Sequence, residues 1–305
     1  MTTGWRSTGF PEADSRDDFT RARRRAQWGR VAARLRGRPG DLDVLLPFDE
    51  VVAALGMRGR HSLGEQIVEI DSIVGSVDRS SGFDRRFRPT TEQARTRFER
   101  IAGSIRRGRE MPPVDLYRVG QVHFVADGHH RIAVARAMGW TTIRAIVTEV
   151  ATALPAAGGL TVADLPLKGH ERVFYERVPL PAAARASIVL TDPNDFGALA
   201  EGVEAWGFRV MQEREVLLSR TEIARLWWIE EYRPAVELLR EAGLLAEQSD
   251  DPSDHPAPST ETEAYLALSG QRYRLLRSHV WDEQSVAEVR ATTRRRRARR
   301  RPRPR

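Results

Sequence analysis

The chain has 305 residues, of which 41% are hydrophobic, and carries no cysteine. That is enough apolar material for one large or two ordinary domains. It excludes disulfides, thiolate metal sites and cysteine nucleophiles. The net charge of +7 is unevenly spread. Residues 1–110 hold 22 basic against 16 acidic side chains and 111–293 hold 18 against 26, whereas Arg294–Arg305 holds nine arginines and no acid. Polyanion binding is therefore a question for the tail and the N-terminal third. The N-terminus has no apolar leader, and no apolar run approaches the ~18 residues of a membrane span. A cytoplasmic protein without a membrane contact is the expectation. All but one of the 49 basic residues are arginine, with Lys168 the exception. This reads as a coding bias.

In chain order, residues 17–37 are arginine-rich with apolar residues at Phe19, Ala22, Ala26, Val31, Ala32 and Leu35, a spacing that predicts one or two amphipathic helices. The stretch "RARRRAQWGRVAARLRGR" forms a second basic face beside the tail. "DLDVLLPFDEVVAALG" predicts a short helix ending at Gly56. "EQIVEIDSIVGSVDRSSGFDRRFRP" begins as a strand, with Ile67, Val68, Ile70, Ile73 and Val74, then becomes a polar loop. A helix follows to Gly108, its apolar face made by Phe98, Ile101 and Ile105, with Thr90 and Gln93 as a capping box. "VDLYRV" and "VHFVA" flank a Gly-Gln turn as a hairpin. "TTIRAIVTEV" is a further strand. The fold class is α+β: a compact mixed sheet with helices over residues 61–150, preceded by a basic helical segment over 1–60. Residues 151–190 read as an extended connector and 191–290 as a mainly helical domain with a disordered linker near 247–262. The arginine tail, 291–305, reads as disordered.

Between hairpin and closing strand stands "VADGHHRIAVARAMGW", a strand, Asp127-Gly128, two histidines, Arg131 and a helix. Helix N-termini expose unpaired N–H groups and partial positive charge. A glycine there lets a ligand approach the backbone, and adjacent Arg and His side chains supply charge-assisted donors. The turn is thus suited to phosphate. Asp127 is placed to cap the helix or to assist a magnesium ion. A metal site on the histidine pair is disfavoured, because neighbours on a helix diverge by about 100°. The bland alternative is a capped turn with surface histidines and a paired arginine. Ser76, Arg79, Arg85, Arg86 and Arg88 lie in the upstream loop, with Ser76 and Arg79 the preferred additional contacts. Trp227, Trp228, Tyr232, Tyr265 and Tyr273 are expected to fill a helical core. No Walker loop, Rossmann glycine triplet, HExxH or serine elbow is present.

The residues Asp127-Gly128-His129-His130-Arg131 resemble the signature turn of the ParB/sulfiredoxin superfamily. ParB-type proteins carry G-E-R-R-x-R after a strand, sulfiredoxins G-C-H-R and related free-serine kinases D-G-H-T-R. Upstream "VEIDSIVGSVDR" and downstream "GWTTIRAIVTEV" are similar to the family's first box and closing strand, and the longer pattern is similar to ParB-like proteins of actinobacteria. The resemblance spans about Ser62–Val150. It implies a ParB-like nucleotide-binding module, DNA-associated or regulatory, with Gly128, His129, His130 and Arg131 gripping the phosphates of CTP or ATP with magnesium. Nonspecific nucleic-acid contact would come through Arg294–Arg305. The alternative it implies is a small-molecule phosphotransferase of the free-serine-kinase kind, with Asp127 or an acid of the first box (Glu69, Asp71 or Asp78) as the catalytic base. His129 stands where sulfiredoxins keep their cysteine, which removes sulfinic-acid repair. Where ParB has its Glu and further Arg positions stand His129, His130 and Ala133.

Overall fold

The computed structural model describes residues 8–35, 44–78, 82–241, 260–276 and 287. The chain divides into two compact units, Met1–Gly169 and His170–Arg305. Among the described residues no helix is long and apolar enough to cross a membrane.

The first unit is built on a six-stranded mixed sheet. Its strands are β1 (Leu46–Pro47), β2 (Met57–Glu69), β3 (Ile73–Ser76), β4 (Val114–Val119), β5 (Val122–Asp127) and β6 (Thr142–Thr152), in the order β1-β3-β5-β4-β6-β2. β3 runs parallel to β5 and β4 parallel to β6, while the β4–β5 hairpin and the long β2–β6 pair are antiparallel. The segment read as one strand over 66–74 is two. β2 ends at Glu69, a 3-10 turn (Ile70–Ser72) intervenes, and β3 crosses to the other side of the sheet. β-branched residues supply strand propensity, but only non-local pairing decides where one strand stops.

Alternation along the strands separates two faces. Val114, Leu116 and Val125 join the core with Phe98 and Ala102 of α3 (Arg95–Arg106) and Ile132–Ala135 of α4 (His129–Ala137). Tyr117 and Phe124 point the other way, where Phe48 of α2 (Phe48–Leu55) stacks on Tyr117 at 4.9 Å and meets Phe124 edge-on. Gly75 of β3 has no room for a side chain. A Cβ there would lie 2.3 Å from the Leu46 carbonyl oxygen and 2.5 Å from the Phe124 ring.

The N-terminal arginine-rich stretch folds as one helix, α1 (Pro11–Leu35), and packs on α3. Phe19 meets Phe98 edge-on at 5.5 Å. Arg106 of α3, with a side chain only 2% exposed, reaches Asp14 at 3.1 Å and Asp18 at 2.5 Å, both of them buried. Helix α3 does not start on the expected Thr90–Gln93 box. A 3-10 turn (Glu92–Ala94) leads into it, with Thr91 at its N-cap and no side-chain cap.

Residues 165–177, expected to be extended, form helix α5. Pro166 sits in its first turn, where a missing N–H costs nothing, and the Thr161–Asp164 capping box starts the preceding 3-10 turn. In the second unit, α6 (Ala182–Arg185), α7 (Pro193–Arg214), α8 (Arg220–Trp227), α9 (Arg233–Glu241) and α10 (Glu261–Leu276) make the expected helical assembly. A π-turn (Trp228–Tyr232) joins α8 to α9. Trp227, Tyr232 and Tyr265 are buried in mutual ring contact, and half-buried Trp228 stacks on Tyr232 at 5.0 Å. The side chain of Tyr273 lies outside the described residues. Of the expected linker, Thr260–Thr262 open α10, with Thr260 and Glu263 exchanging backbone-to-side-chain hydrogen bonds. The rest of it, and the arginine tail, lie outside the described residues.

Candidate functional site

The expected strand–turn–helix is present, with one change of role. Asp127 does not cap α4. It remains the last residue of β5, and the N-cap position belongs to Gly128, with no side-chain cap bond. Asp127 instead accepts a hydrogen bond from Arg131 at 2.5 Å. Gly128 adopts φ +112°, a conformation side-chain-bearing residues rarely reach. A Cβ on it would come within 2.6 Å of Val114 Cγ1. The glycine is buried and lets the turn close onto β4. Its missing side chain faces the protein rather than a ligand.

Arg131 is held on three sides. One terminal nitrogen donates to the carbonyls of Pro113 and, at 3.2 Å, Pro112, and the other to Asp127. It fastens the start of α4 to the strand entering the hairpin. At the helix's far end, Arg136 donates to the Ile70 carbonyl at 2.7 Å and pairs with Asp71 at 3.0 Å. With α4 pinned at both ends and no side chain capping it, its first-turn amides have a fixed direction and no intrahelical acceptor.

Ser76 and His129, 53 positions apart, are brought together: Ser76 Oγ and His129 Nε2 lie 2.6 Å apart. Ser76 is buried and also reaches the Val125 carbonyl at 3.4 Å. The His129 ring stacks over Phe83 at 6.2 Å, and His130 meets the same ring edge-on at 5.0 Å. Their planes stand at 21° and 88° to that of Phe83. The loop bearing Phe83 is organised by Asp84, whose buried carboxylate accepts from the Arg86 and Arg88 amides at 2.9 Å and from Arg88 Nε at 2.7 Å. The same loop carries Phe87 at φ +54°, fully buried against His129, a strained conformation held by its surroundings. Arg85 donates to the Leu160 carbonyl. Arg79 lies outside the described residues.

Burial pushes both histidines toward their neutral forms. His130 falls to about 4 through desolvation, helped by Arg97, His129 and Arg100. His129 is lowered by burial against the opposing pull of Asp78 and Asp127. These neighbours expose two residues the sequence reading passed over, Arg97 and Arg100. They occupy the exposed side of α3, close enough to His130 to act on its charge, and neither forms an ion pair among the described residues. Their i, i+3 spacing opposite the Phe98 face was the available signal. Among the described residues, no three His, Asp or Glu side chains are grouped to hold a metal ion.

The arrangement is a mixed sheet whose central hairpin delivers an uncapped helix N-terminus, flanked by two imidazoles that burial pushes toward neutrality and by two arginines without an ion pair among the described residues. Residues 70–161 match the family model of the ParB N-terminal domain. The β3–β6 body of this chain is a ParB N-terminal domain, within the ParB/sulfiredoxin superfamily. No curated protein and no solved structure matches the chain. The match begins after β2, yet β2 completes the sheet along β6 and α1 covers α3. Both N-terminal elements are therefore structural parts of the unit that holds this ParB domain.

Proposed function

We propose that this ParB-like protein binds a nucleotide, CTP or ATP, with its phosphates at the N-terminus of α4. The observation that carries the reading is the pinned, uncapped first turn of α4 standing beside unpaired Arg97 and Arg100. Fixed amides, the helix dipole and two cations act on the same anion. The residues present fit a polyphosphate. The amides of His129 and His130 donate, the imidazole of His130 adds a neutral donor, and Arg97 and Arg100 supply charge. Arg131 and Gly128 shape the turn, Ser76 orients His129, and Asp127 is exposed and available to a magnesium ion that accompanies the nucleotide. Association with nucleic acid through Arg294–Arg305 belongs to the same proposal, as a nonspecific electrostatic contact.

The test is thermal melting of the full chain with CTP, ATP, GTP and UTP, with and without magnesium. A nucleotide that binds only the folded state raises Tm. The Arg97→Ala/Arg100→Ala variant, altered only at exposed positions, should melt normally and lose most of that rise. No shift with any nucleotide in the unmodified chain would refute the proposal.

A further inference from the structure

Helix α1 takes no part in the proposed nucleotide site, yet one side of it is chemically distinctive. Its inward side is fixed by a helical period: Asp14, Asp18, Phe19, Ala22 and Ala26 are buried. Arg106 clamps the two aspartates, and Arg88 donates to the Arg25 carbonyl at 2.8 Å. The opposite side is therefore held outward on a rigid support. There Trp28 is 72% exposed, with Val31 and Leu35 exposed beyond it.

The charge around this tryptophan is of one sign. From Phe19 to Leu35 there is no acidic residue, and six arginines are present. Arg21 and Arg23 are spent on Asp18 and Glu92. Arg24 and Arg25, four and three positions before Trp28 and so on its side of the helix, are exposed and form no ion pair among the described residues. An exposed aromatic ring framed by unpaired arginines is the combination that stacks a base while holding its phosphates. A duplex would use the arginines but not the ring, because its base faces are already stacked. A lipid surface would need a broad apolar face, whereas the outward apolar residues are only Trp28, Val31 and Leu35, and Phe19, Ala22 and Ala26 are turned into the protein.

We propose that the outward face of α1 binds single-stranded nucleic acid, with Arg24 and Arg25 on phosphates and Trp28 stacked on a base. This surface is separate from the α4 turn and does not depend on nucleotide binding there.

The experiment is a fluorescence-anisotropy titration of the full chain against a labelled single-stranded oligonucleotide in DNA and RNA form, the corresponding duplex, and phosphatidylserine vesicles, over a range of salt. The arginine tail contributes equally to every variant, so differences between variants report α1. Trp28→Ala should weaken single-strand binding about fivefold or more and leave duplex binding unchanged, while Trp28→Phe keeps most of the affinity. Removing Arg24 and Arg25 together should reduce the slope of log K against log salt by about 1.4. All three positions are exposed, so melting should not change. Equal single-strand affinity in Trp28→Ala overturns the proposal. So does an equal loss on duplex, or a Trp28 effect seen with vesicles alone.

Discussion

Replacing Gly128 by alanine tests whether the turn is built as described. Two costs add. At φ +112° a side-chain-bearing residue is strained by about 1–3 kcal/mol. The new methyl would also stand 2.6 Å from Val114 Cγ1 and 2.9 Å from Val114 Cβ, well inside ordinary contact. Val114 is fully buried and paired in register with Ala145 of β6, so it cannot retreat. Overpacking of this kind costs about 1–3 kcal/mol. Together the change should destabilise the unit by about 2–6 kcal/mol, a large share of the 5–15 kcal/mol that holds an ordinary domain folded. Hydrogen exchange followed on peptides from β5 and α4 should then be at least about thirtyfold faster in the variant for the most protected amides. Adding Val114→Ala removes the nearest methyl but not the backbone strain. The double variant should therefore lose less than the sum of the single changes. Wild-type protection in Gly128→Ala would refute the account of the turn. Strict additivity with Val114→Ala would refute the contact.

Arg106→Leu leaves Asp14 buried without its cation and Asp18 with Arg21 alone, an unfavourable state for buried carboxylates. Amides of α1 should lose protection while those of β5 and β6 keep most of theirs; uniform loss, or none, would contradict the clamp. The buried histidines make stability pH-dependent. His123, 9% exposed and bonded through Nδ1 to Ser72 Oγ at 2.8 Å, is lowered to about 4 by burial and then by Arg118. Its folded-state value lies below the ordinary 6.5, so its contribution is complete above about pH 6.5. That contribution is lost as pH falls toward 4, by up to about 3 kcal/mol. His130 acts in the same direction. Urea midpoints measured from pH 7 to pH 4 should fall, and His123→Gln should flatten the fall; a midpoint that rises on acidification would contradict the assignment.

Much of this was legible in the chain itself because it is local. The hairpin, the strand running into Asp127-Gly128, the helix after it and the core face of α3 follow from periods of 2 and 3.6 and from turn residues within a dozen positions. The ParB-like character rests on the same short segment. The helical nature of 165–177 was hidden by Pro166 within it and by Pro179 and Pro181 beyond it; proline marks a break in most contexts but is harmless in a first turn.

What required tertiary structure is what joins distant positions. Ser76 meets His129 because β3 pairs in parallel with β5, and no local pattern encodes that pairing. Arg131 and Arg97 are both arginines near the start of α4, and the sequence favours the first. The fold binds the first to the Pro112 and Pro113 carbonyls and leaves the second without an ion pair among the described residues, because packing decides which cations find acceptors. Likewise, composition marks α1 as basic, but only its docking on α3 buries Asp14 and Asp18 and turns Trp28 outward.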